Sequence, residues 1–486
     1  MNFIKSSYCS LFDRFLPKEA ILSSDEEVRP YECDGLSIHT QRPAVVLLPT
    51  TIKEVIDILT CCYSNNIPIV VRGAGTGLSG GALPHQEGVL LSLTKFNRIL
   101  HVDPIKRIAR VEPGVRNVSI SQAVQSYNLY YAPDPSSQIA CTIGGNVAEN
   151  AGGVHCLKYG LTIHNILELK ILTVEGEMLT LGSQAFDSPG YDLLTLVIGS
   201  EGLLGVVMEI TVKLLPQPES VQVLLASFEE VSQAGFAVAQ IIATGIIPAG
   251  LEMMDNAAIR AAEDFVNVGY PVEAAAILLC ELDGNIDEVE KQVLQVRTLL
   301  EHFEAKEIFI AETEQQRLRF WAGRKAAFPA IGRISPDYYC MDGTIPRKYL
   351  SFVLERIHDL SRAYGLRVAN VFHAGDGNLH PLILFDANDP IELQRTEELG
   401  CKILELCVQV GGTITGEHGV GIEKLDPMCV QFNDFELAQF HAVKSAFDPY
   451  KLLNPGKALP TLHRCAEFGV MHVHHGQLRF PDLERF

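Results

Sequence analysis

The sequence predicts an α+β protein with more than one domain. Its 486 residues exceed what one ordinary hydrophobic core accommodates. From Pro43 onward, short apolar runs alternate with segments of helical spacing, and two prolines near residues 216–219 mark a change in character. Beyond them, apolar runs and amphipathic segments alternate again, which is typical of an α+β layer.

The elements of the first half follow from short patterns. A helical lead-in is expected up to about Gln41, and Thr51 suits the cap of the helix TIKEVIDILTCCYSNN. LELKILTVEGEMLTL predicts a hairpin with a Glu-Gly turn. Strands are predicted for PAVVLLP, IPIVV, VLLSL and RIARVEPG, and a helix for VSISQAVQSYNL.

The second half is predicted to continue this alternation. VQVLLASF indicates a strand and is followed by a helix through about Ala243. IDEVEKQVLQVRTLLEHF has the spacing of an amphipathic helix. After about Gly411 we expect a glycine-rich motif, one more helix and the turn NPGKALP, and then a histidine-rich tail.

Charge and composition exclude several classes of protein. The formal net charge is -20, whereas a nucleic-acid binder needs a cationic surface to displace counterions. The same charge opposes direct contact with an anionic lipid surface. The 12 cysteines include no C-x-x-C, so an iron–sulfur site in this chain is not expected. Electrons that leave this protein are therefore expected to leave through another subunit.

No segment has the pattern of a signal peptide or a membrane helix. The N-terminus lacks a long apolar run, and Glu201, Glu209 and Lys213 interrupt the most apolar stretch, LLTLVIGSEGLLGVVMEITVKLLP. That stretch is predicted to form buried strands and turns. A cytoplasmic location is expected.

A glycine-rich loop, RGAGTGLSGGA, occupies residues 72–82. Its spacing satisfies G-x-G-x-x-G, but a Rossmann fingerprint needs a helix directly after the loop, and here a turn and a β-like run follow. The glycines instead let backbone amides approach an anion, while Thr76 and Ser79 add hydroxyl donors. The loop is therefore interpreted as an anion-binding nest between two strands.

Two further segments extend this interpretation. PDPSSQIACTIGGNVAENAGG, residues 133–153, combines prolines, a Gly144-Gly145 pair that predicts a tight extended course, and many short polar groups. IGSEGLLGVV places Glu201 and Gly202 in a turn between apolar runs. Three such segments in order over about 130 residues indicate one long, polar, phosphate-bearing ligand.

Four residues form a histidine-rich constellation. VANVFHAGDGNLHPLILF predicts a hairpin that pairs His373 with Asn378 and puts His380 on the same face. Such imidazoles can converge on one metal ion. GGTITGEHGVGIEK adds Glu417 and His418, and two histidines with a carboxylate suit zinc, manganese or iron.

One cation is needed if the substrate is a carboxylate. FWAGRKAAFPA offers Arg324 and Lys325, and the guanidinium fork of an arginine binds a carboxylate at two points. Arg324 is the preferred candidate, and Lys325 is interpreted as a solvated helix charge.

The three glycine-containing segments resemble the FAD-binding domain of the vanillyl-alcohol oxidase superfamily, the PCMH type, over roughly residues 40–216. The resemblance implies two packed α+β subdomains and non-covalent FAD, because no matching attachment residue is evident. It implies that the pyrophosphate loop is Arg72, Gly73, Ala74, Gly75, Thr76, Gly77, Ser79 and Gly80, and that the other FAD contacts are Pro133, Ser137, Thr142, Gly145, Asn150, Gly153, Glu201, Gly205, Val207 and Asn454.

HAGDGNLH followed by GEHGVG resembles the C-terminal half of the FAD-linked 2-hydroxy-acid dehydrogenases. The resemblance implies a substrate (cap) domain with an antiparallel sheet, and His373, His380 and Glu417 as metal ligands. It implies that His418 is the base beside the flavin, that Arg324 binds the substrate carboxylate and that Asn378 helps to place substrate or metal. The expected domains are 1–40 (lead-in), 41–217 (FAD-binding), 218–410 (substrate), 411–460 (returning to the FAD domain) and 461–486 (tail).

The last part of the chain, including FDPYKLLNPGKALP, is most similar to the glycolate-oxidising members of that family. This implies oxidation of glycolate to glyoxylate, with D-lactate as a further substrate and hydride passing to flavin N5. It also implies a complex with a second FAD-domain subunit and an iron–sulfur subunit that sends electrons to the respiratory chain, so that contact with the inner membrane is indirect. The alternatives are a D-lactate or other D-2-hydroxy-acid dehydrogenase, a non-redox transferase on the same fold, and a scaffold subunit that binds FAD structurally.

Overall fold

The computed structural model describes residues 2–185 and 189–461, so the tail histidines His472, His474 and His475 lie outside the described residues. The α-helices in chain order are α1 Asn2–Phe12, α2 Asp25–Val28, α3 Ile52–Asn65, α4 Asn117–Val124, α5 Ile143–Glu149, α6 Cys156–Tyr159, α7 Leu193–Val197, α8 Val231–Ala243, α9 Asn256–Val266, α10 Ile286–His302, α11 Glu314–Ile331, α12 Leu350–Tyr364, α13 Pro390–Gln409, α14 Leu425–Gln431 and α15 Asp434–Phe447.

The strands belong to four sheets. In chain order they are β1 Ile21–Leu22, β2 Val45–Leu47, β3 Ile69–Arg72, β4 Val89–Ser92, β5 Ile99–Asp103, β6 Ile108–Val111, β7 Leu129–Tyr130, β8 Ile166–Leu172, β9 Met178–Gly182, β10 Val206–Lys213, β11 Leu215–Pro216, β12 Ser220–Phe228, β13 Gly250–Asp255, β14 Ala276–Gly284, β15 Glu307–Ile310, β16 Asp337–Cys340, β17 Arg367–His373 and β18 Asn378–Phe385. Short 3-10 helices cover Lys18–Ala20, Arg29–Tyr31, Gln125–Tyr127, Thr162–Asn165 and Arg347–Tyr349.

The first half of the described chain contains two larger sheets and the small antiparallel pair β11-β7. A four-stranded sheet has the order β1-β2-β4-β3, in which β4 pairs in parallel with β2 and β3 while β1 is antiparallel. A five-stranded antiparallel sheet has the order β5-β6-β10-β8-β9. Val89, Leu90 and Leu91 are all fully buried, as expected for a central parallel strand covered on both faces.

The second half is built on a seven-stranded antiparallel sheet with the order β15-β12-β14-β13-β17-β18-β16. Because side chains alternate along a strand, the neighbours Met253 and Met254 enter different hydrophobic clusters. The Met253 cluster includes residues of α8 and α12, and the Met254 cluster includes residues of α9 and α11. The predicted α+β class, with an antiparallel sheet in the second half, is confirmed.

Several local predictions are confirmed. Thr51 caps α3 by accepting a hydrogen bond from the Glu54 amide, and Glu54 in turn accepts from the Thr51 amide, which forms a capping box. β8 and β9 form the predicted hairpin. The amphipathic segment predicted from Ile286 is α10.

Other local predictions are wrong. The Gly144-Gly145 pair does not run extended but lies in helix α5, because Thr142 caps the segment by accepting from the Gly145 amide. The lead-in is not wholly helical, since β1 pairs with β2. Two helices, α14 and α15, follow Gly411 instead of one. The most apolar stretch begins with the short helix α7 before it becomes strand β10.

The chain passes from the five-stranded to the seven-stranded sheet between Lys213 and Ser220. We propose a domain boundary here, near residue 217. The segment after residue 411 returns to the first sheet, where the Ile69 amide donates to the Leu452 carbonyl and the Asn454 amide donates to the Ile69 carbonyl, both at 2.7 Å. This return supports the proposed division into 41–217, 218–410 and 411–460.

Among the described residues, no helix combines the length and the apolar character that crossing a membrane requires.

Candidate active site

One cavity joins the glycine-rich loop to the histidine constellation. Its walls include the predicted residues Arg72, Gly73, Ala74, Gly75, Thr76, Gly77, Ser137, Thr142, Gly145, Glu201, Gly205, Val207, His380, Glu417 and His418. The N-terminal sheets and the hairpin β17–β18 therefore line one continuous space. A ligand that fills it lies against both.

The glycine-rich loop begins where β3 ends. A Cβ on Gly73 would lie 2.1 Å from Thr142 Oγ1, so the loop approaches the start of α5 more closely than any side chain permits. One terminal nitrogen of the Arg72 guanidinium donates to the carbonyls of Tyr31 and Cys33 at 3.3 and 2.6 Å. These bonds tie the start of the loop to the segment at residues 31–33.

Six residues predicted to contact the cofactor do not line the cavity: Ser79, Gly80, Pro133, Asn150, Gly153 and Asn454. Three of them form hydrogen bonds that hold neighbouring segments of the chain in place. The Ser79 carbonyl accepts from the Ile422 and Glu423 amides, and Asn150 Oδ1 accepts from the Ile163 amide. Asn454 Nδ2 donates to the Gly81 carbonyl at 3.0 Å and to the Glu201 carbonyl at 2.7 Å, which ties two walls of the cavity together.

The histidine constellation forms as its spacing predicts. His373 pairs with Asn378 across the hairpin, and His380 pairs with Val371. Oε1 of Glu417 lies 3.3 Å from His373 Nε2 and 3.0 Å from His380 Nε2. The two rings are 5.0 Å apart and inclined at 85°, so their Nε2 atoms converge on the same carboxylate.

The electrostatics of this cluster favour bound cations. Burial alone would raise the pKa of Glu417, but its hydrogen bonds to His373 and His380 outweigh burial and hold that pKa well below the ordinary value. Burial lowers the pKa of His373, and the Glu252 and Glu417 carboxylates raise it well above normal. A site that retains protons so strongly also favours a divalent cation.

A second set of potential ligands, Cys340, His380 and His418, shares His380 with the first. The rings of His380 and His418 are stacked, 5.0 Å apart and only 4° from parallel. A metal ion lies near the plane of each imidazole that binds it, and two parallel stacked rings do not share such a point. The geometry therefore favours His373, His380 and Glu417.

His418 has the properties of a proton acceptor. Burial and the neighbouring cations lower its pKa to about 4, although Asp342 opposes the shift, so the ring is neutral at neutral pH. Its Nδ1 has no hydrogen-bond partner among the described residues, and its Nε2 is 4.0 Å from Glu417 Oε1. A neutral imidazole that lines the cavity can accept a proton from a ligand.

Sequence reasoning missed Asp342, which organises the loop that carries His418 (the His418 loop, residues 415–424). Its side chain is fully buried and accepts from the amides of Gly416, Glu417 and His418 at 3.1, 3.1 and 2.9 Å. It also accepts from the Thr415 hydroxyl at 2.6 Å and pairs with Lys424 at 3.2 Å. The only signal in the sequence is a carboxylate after the apolar run YYCM.

Glu201 was predicted only to contact the cofactor, and the structure gives it a further contact. It lines the cavity, but its two oxygens accept from the Val420 and Gly421 amides, each at 2.7 Å. A Cβ on Gly419 would lie 2.1 Å from Glu149 Oε2 and 3.0 Å from Glu201 Oε1, so only glycine fits here. Glu201 thus binds the His418 loop to the first half of the chain.

Replacing Glu201 by glutamine is expected to destabilise the protein by about 1.5–3 kcal/mol, because the amide offers one acceptor oxygen where two amides donate. The measurement is the midpoint of urea unfolding. Glu209→Gln is the matched control, because Glu209 follows on β10 and its ion pairs among the described residues are with exposed or half-buried Arg110 and Lys170. Equal midpoints for the two variants would show that the Glu201 contacts do not stabilise the loop.

Arg324 is buried away from the cavity wall. It is 2% exposed, and its Nε and one terminal nitrogen lie 2.9 and 2.6 Å from Glu252 Oε2. Phe328, one turn later on α11, does line the cavity. Lys325 is exposed, as expected of a solvated charge. One edge of the Arg324 fork is therefore occupied by a protein carboxylate.

Asn378 packs against the His418 loop at Gly416. It is 5% exposed, its Oδ1 has no hydrogen-bond partner among the described residues, and a Cβ on Gly416 would lie 2.5 Å from its amide carbon. The side chain therefore packs against the turn that precedes Glu417.

Comparisons with known proteins agree with this arrangement. Residues 43–182 match the model of an FAD binding domain, and residues 217–458 match that of the C-terminal domain of FAD linked oxidases. The chain is 65% identical over 471 residues to glycolate oxidase subunit GlcD of Escherichia coli K12, covering 97% of this chain and 94% of the relative. It is 33% identical to a D-lactate dehydrogenase of Anaerostipes hadrus, covering 92% and 96%.

A solved structure of p-cresol methylhydroxylase with substrate bound shares the fold, with a TM-score of 0.80 and 16% identity over 95% of this chain and 98% of that one. The fold and the site define an FAD-linked oxidoreductase of the vanillyl-alcohol oxidase type. Within that class, the chain belongs to the family of FAD-linked oxidases that includes the glycolate oxidase subunits.

Proposed function

We propose that this protein oxidises glycolate to glyoxylate in an FAD-dependent reaction. The observation that carries the proposal is the single cavity that runs from the glycine-rich loop to the neutral imidazole of His418. The 65% identity with a glycolate oxidase subunit supports glycolate as the substrate. Glycolate loses a hydride from its α-carbon and a proton from its hydroxyl.

FAD is the cofactor, and its phosphates would be held by the loop of residues 73–77. The close approach of Gly73 to Thr142 leaves backbone amides, rather than side chains, facing the cavity there. When bound, FAD accepts the hydride from the substrate. We propose that FAD is held without a covalent bond, which release of the flavin by a denaturant would test.

His373, His380 and Glu417 would hold a divalent metal ion such as zinc, manganese or iron. Two imidazole nitrogens, each within 3.3 Å of the same carboxylate oxygen, form with it a suitable donor set. An ion bound there supplies Lewis-acid polarisation of the substrate hydroxyl.

The residues of the chain orient the substrate and move its proton. His418 would remove the hydroxyl proton through a nitrogen that is free to accept it. Arg324, which lies behind Phe328 of the cavity wall, would attract the substrate carboxylate through its charge. Asn378 would support Glu417 by packing against the turn at Gly416. Asp342 keeps Glu417 and His418 in place.

Three alternative functions differ from glycolate oxidation in substrate or in chemistry. D-lactate or another D-2-hydroxy acid is favoured by the 33% identity with a D-lactate dehydrogenase. A non-redox transferase on the same fold would need no electron acceptor, and the compact acid–base and ligand cluster argues against it. A scaffold subunit would not need His418 as a neutral base.

We also propose that the protein works within a complex, since its relative is named as a subunit of glycolate oxidase. The partners would be a second FAD-domain subunit and an iron–sulfur subunit, which would accept the electrons. The protein would be cytoplasmic and would reach the inner membrane only through them. With a net charge of -20, no nucleic-acid partner is expected.

The test is anaerobic stopped-flow spectroscopy near 450 nm, the flavin absorption band, with glycolate, D-lactate, L-lactate and D-2-hydroxyglutarate in turn. Rapid bleaching by glycolate above the other acids is expected. Faster bleaching by D-lactate would favour the first alternative. No bleaching by any acid, with FAD and metal present in the sample, would overturn the proposed oxidation.

A further inference from the structure

We infer that Glu252 is a positioning residue that joins the metal ligand His373 to Arg324, so that one carboxylate sets both metal affinity and binding of the substrate carboxylate. The inference rests on the proposed function for the roles of His373 and Arg324. It concerns a residue that has no contact with the cavity wall and that no motif in the sequence includes.

The sheet register places Glu252 beside His373. Met253 pairs with Phe372 and Met254 with Val371 across β13 and β17, and the same register continued by one residue sets Glu252 opposite His373. The side chain of Glu252 is 1% exposed and points to the face covered by α9 and α11, which is the face of Met254. The fold therefore brings α11, with Arg324, over the same carboxylate.

Both oxygens of Glu252 are engaged. Oε1 and Oε2 lie 2.9 and 3.0 Å from His373 Nδ1, and Oε2 lies 2.9 Å from Arg324 Nε. Because a carboxylate only accepts, His373 must donate from Nδ1 to Glu252, so Nε2 is the nitrogen whose lone pair is available once the ring carries a single proton. Nε2 is the atom that faces Glu417, so Glu252 selects the tautomer that can bind a metal ion.

The same carboxylate fixes the orientation of Arg324. The ion pair is buried on both sides, with side chains 3% and 1% exposed, so Arg324 cannot turn toward solvent without leaving Glu252 unpaired. Because Glu252 holds both Nε and one terminal nitrogen, the guanidinium has one fixed orientation. Loss of Glu252 would therefore release both the imidazole and the guanidinium.

Glu252→Gln is the direct test, with Zn²⁺ as the probe. Competition with a chromophoric chelator, using the FAD-loaded protein, should show a roughly 10–100-fold weaker affinity for Zn²⁺, as for loss of other partners of metal-bound histidines. The KM for glycolate should rise, while the FAD absorbance per protein stays unchanged. Glu252→Asp keeps the charge with a shorter side chain. Its Zn²⁺ affinity should lie between those of the unsubstituted protein and the Glu252→Gln variant, and it tests the inference if the glutamine variant does not fold.

Glu281→Gln is the matched control. Glu281 lies on the adjacent strand β14, is 5% exposed and binds a histidine outside the cluster, His155, at 3.0 Å. Its substitution removes an equivalent buried contact and should leave the Zn²⁺ affinity close to that of the unsubstituted protein.

The outcomes separate this inference from the proposed function. Zn²⁺ affinities that are equal in the Glu252→Gln and Glu281→Gln variants would overturn the positioning role, even if glycolate bleaches the flavin. A weaker Zn²⁺ affinity in the Glu252 variants alone would support the role, even if glycolate proves not to be the substrate.

Discussion

Replacing His418 by glutamine is expected to slow the reduction of the flavin by glycolate by roughly 10²–10⁴-fold, the range that general bases contribute. Glutamine keeps a polar side chain of similar reach, but its amide cannot accept a proton at neutral pH. The loss should appear in the rate of bleaching at saturating glycolate. The content of FAD and metal should not change, because His418 is not among the favoured metal ligands.

His441→Gln is the matched control for His418. The ring of His441 lies on α15, away from the cavity wall, with Nε2 2.9 Å from the Pro460 carbonyl. We expect this variant to reduce its flavin at the unsubstituted rate. If the His418 variant also bleaches at that rate, His418 is not the base. The scaffold alternative gains support in the separate case that glycolate does not reduce the flavin of the unsubstituted protein.

Replacing Asp342 by asparagine is expected to have the second large effect, on both stability and catalysis. Burial alone would raise the pKa of Asp342, but His418, when protonated, and Lys424 outweigh it, so that the group stays ionised. Asparagine removes this partner from the fully buried Lys424 ammonium and leaves Glu423, at 3.3 Å, so we expect a cost of about 3 kcal/mol, the lower end for breaking a buried pair. It also places an amide donor among three backbone amides that donate.

The catalytic consequence of Asp342→Asn follows from the His418 loop. Displacement of His418 by about 1 Å is enough to slow the reaction by roughly 10²-fold. We would measure the midpoint of urea unfolding and the rate of flavin bleaching by glycolate under conditions where the variant remains folded. Both should fall.

Asp255→Asn provides the comparison for Asp342. Asp255 is also buried among donors and accepts from the amides of Ala258 and Asn370, but burial raises its pKa to about 6. Because asparagine keeps one acceptor oxygen there and breaks no buried ion pair, it should cost less stability than Asp342→Asn and leave the bleaching rate intact. If Asp342→Asn behaves like Asp255→Asn, the hydrogen bonds of Asp342 do not control the position of His418.

These predictions share one structural origin, since three buried carboxylates secure the groups proposed to act on the substrate. Asp342 and Glu201 hold the His418 loop, and Glu252 holds His373 and Arg324. Each is a charge in an apolar surrounding, which is stable only when it is fully paired. The rigidity of the site therefore depends on residues that carry no part of the proposed chemistry.

Much of the site could be predicted from local patterns. Alternation along a strand puts His373 and His380 on one face of their hairpin, and the structure has that register. The glycine-rich loop was correctly separated from a Rossmann fingerprint, because a turn and strand β4, not a helix, follow it. The Gly144-Gly145 pair was misjudged because a capping hydroxyl outweighed the low helix propensity of glycine.

The sequence by itself determined the fold class, the three segments that line the cavity and the residues that meet in the histidine and carboxylate cluster. Spacing and local backbone chemistry act over a few residues, so these features are visible in the chain as written. Only the tertiary structure decided that Arg324 pairs with Glu252, that Asp342 holds the amide of His418, and that Glu201 holds that of Val420, partners 72, 76 and 219 residues apart. The physical reason is that a charged group requires a hydrogen-bonding or ionic partner only when it is buried, and these groups become buried only once the sheets have packed.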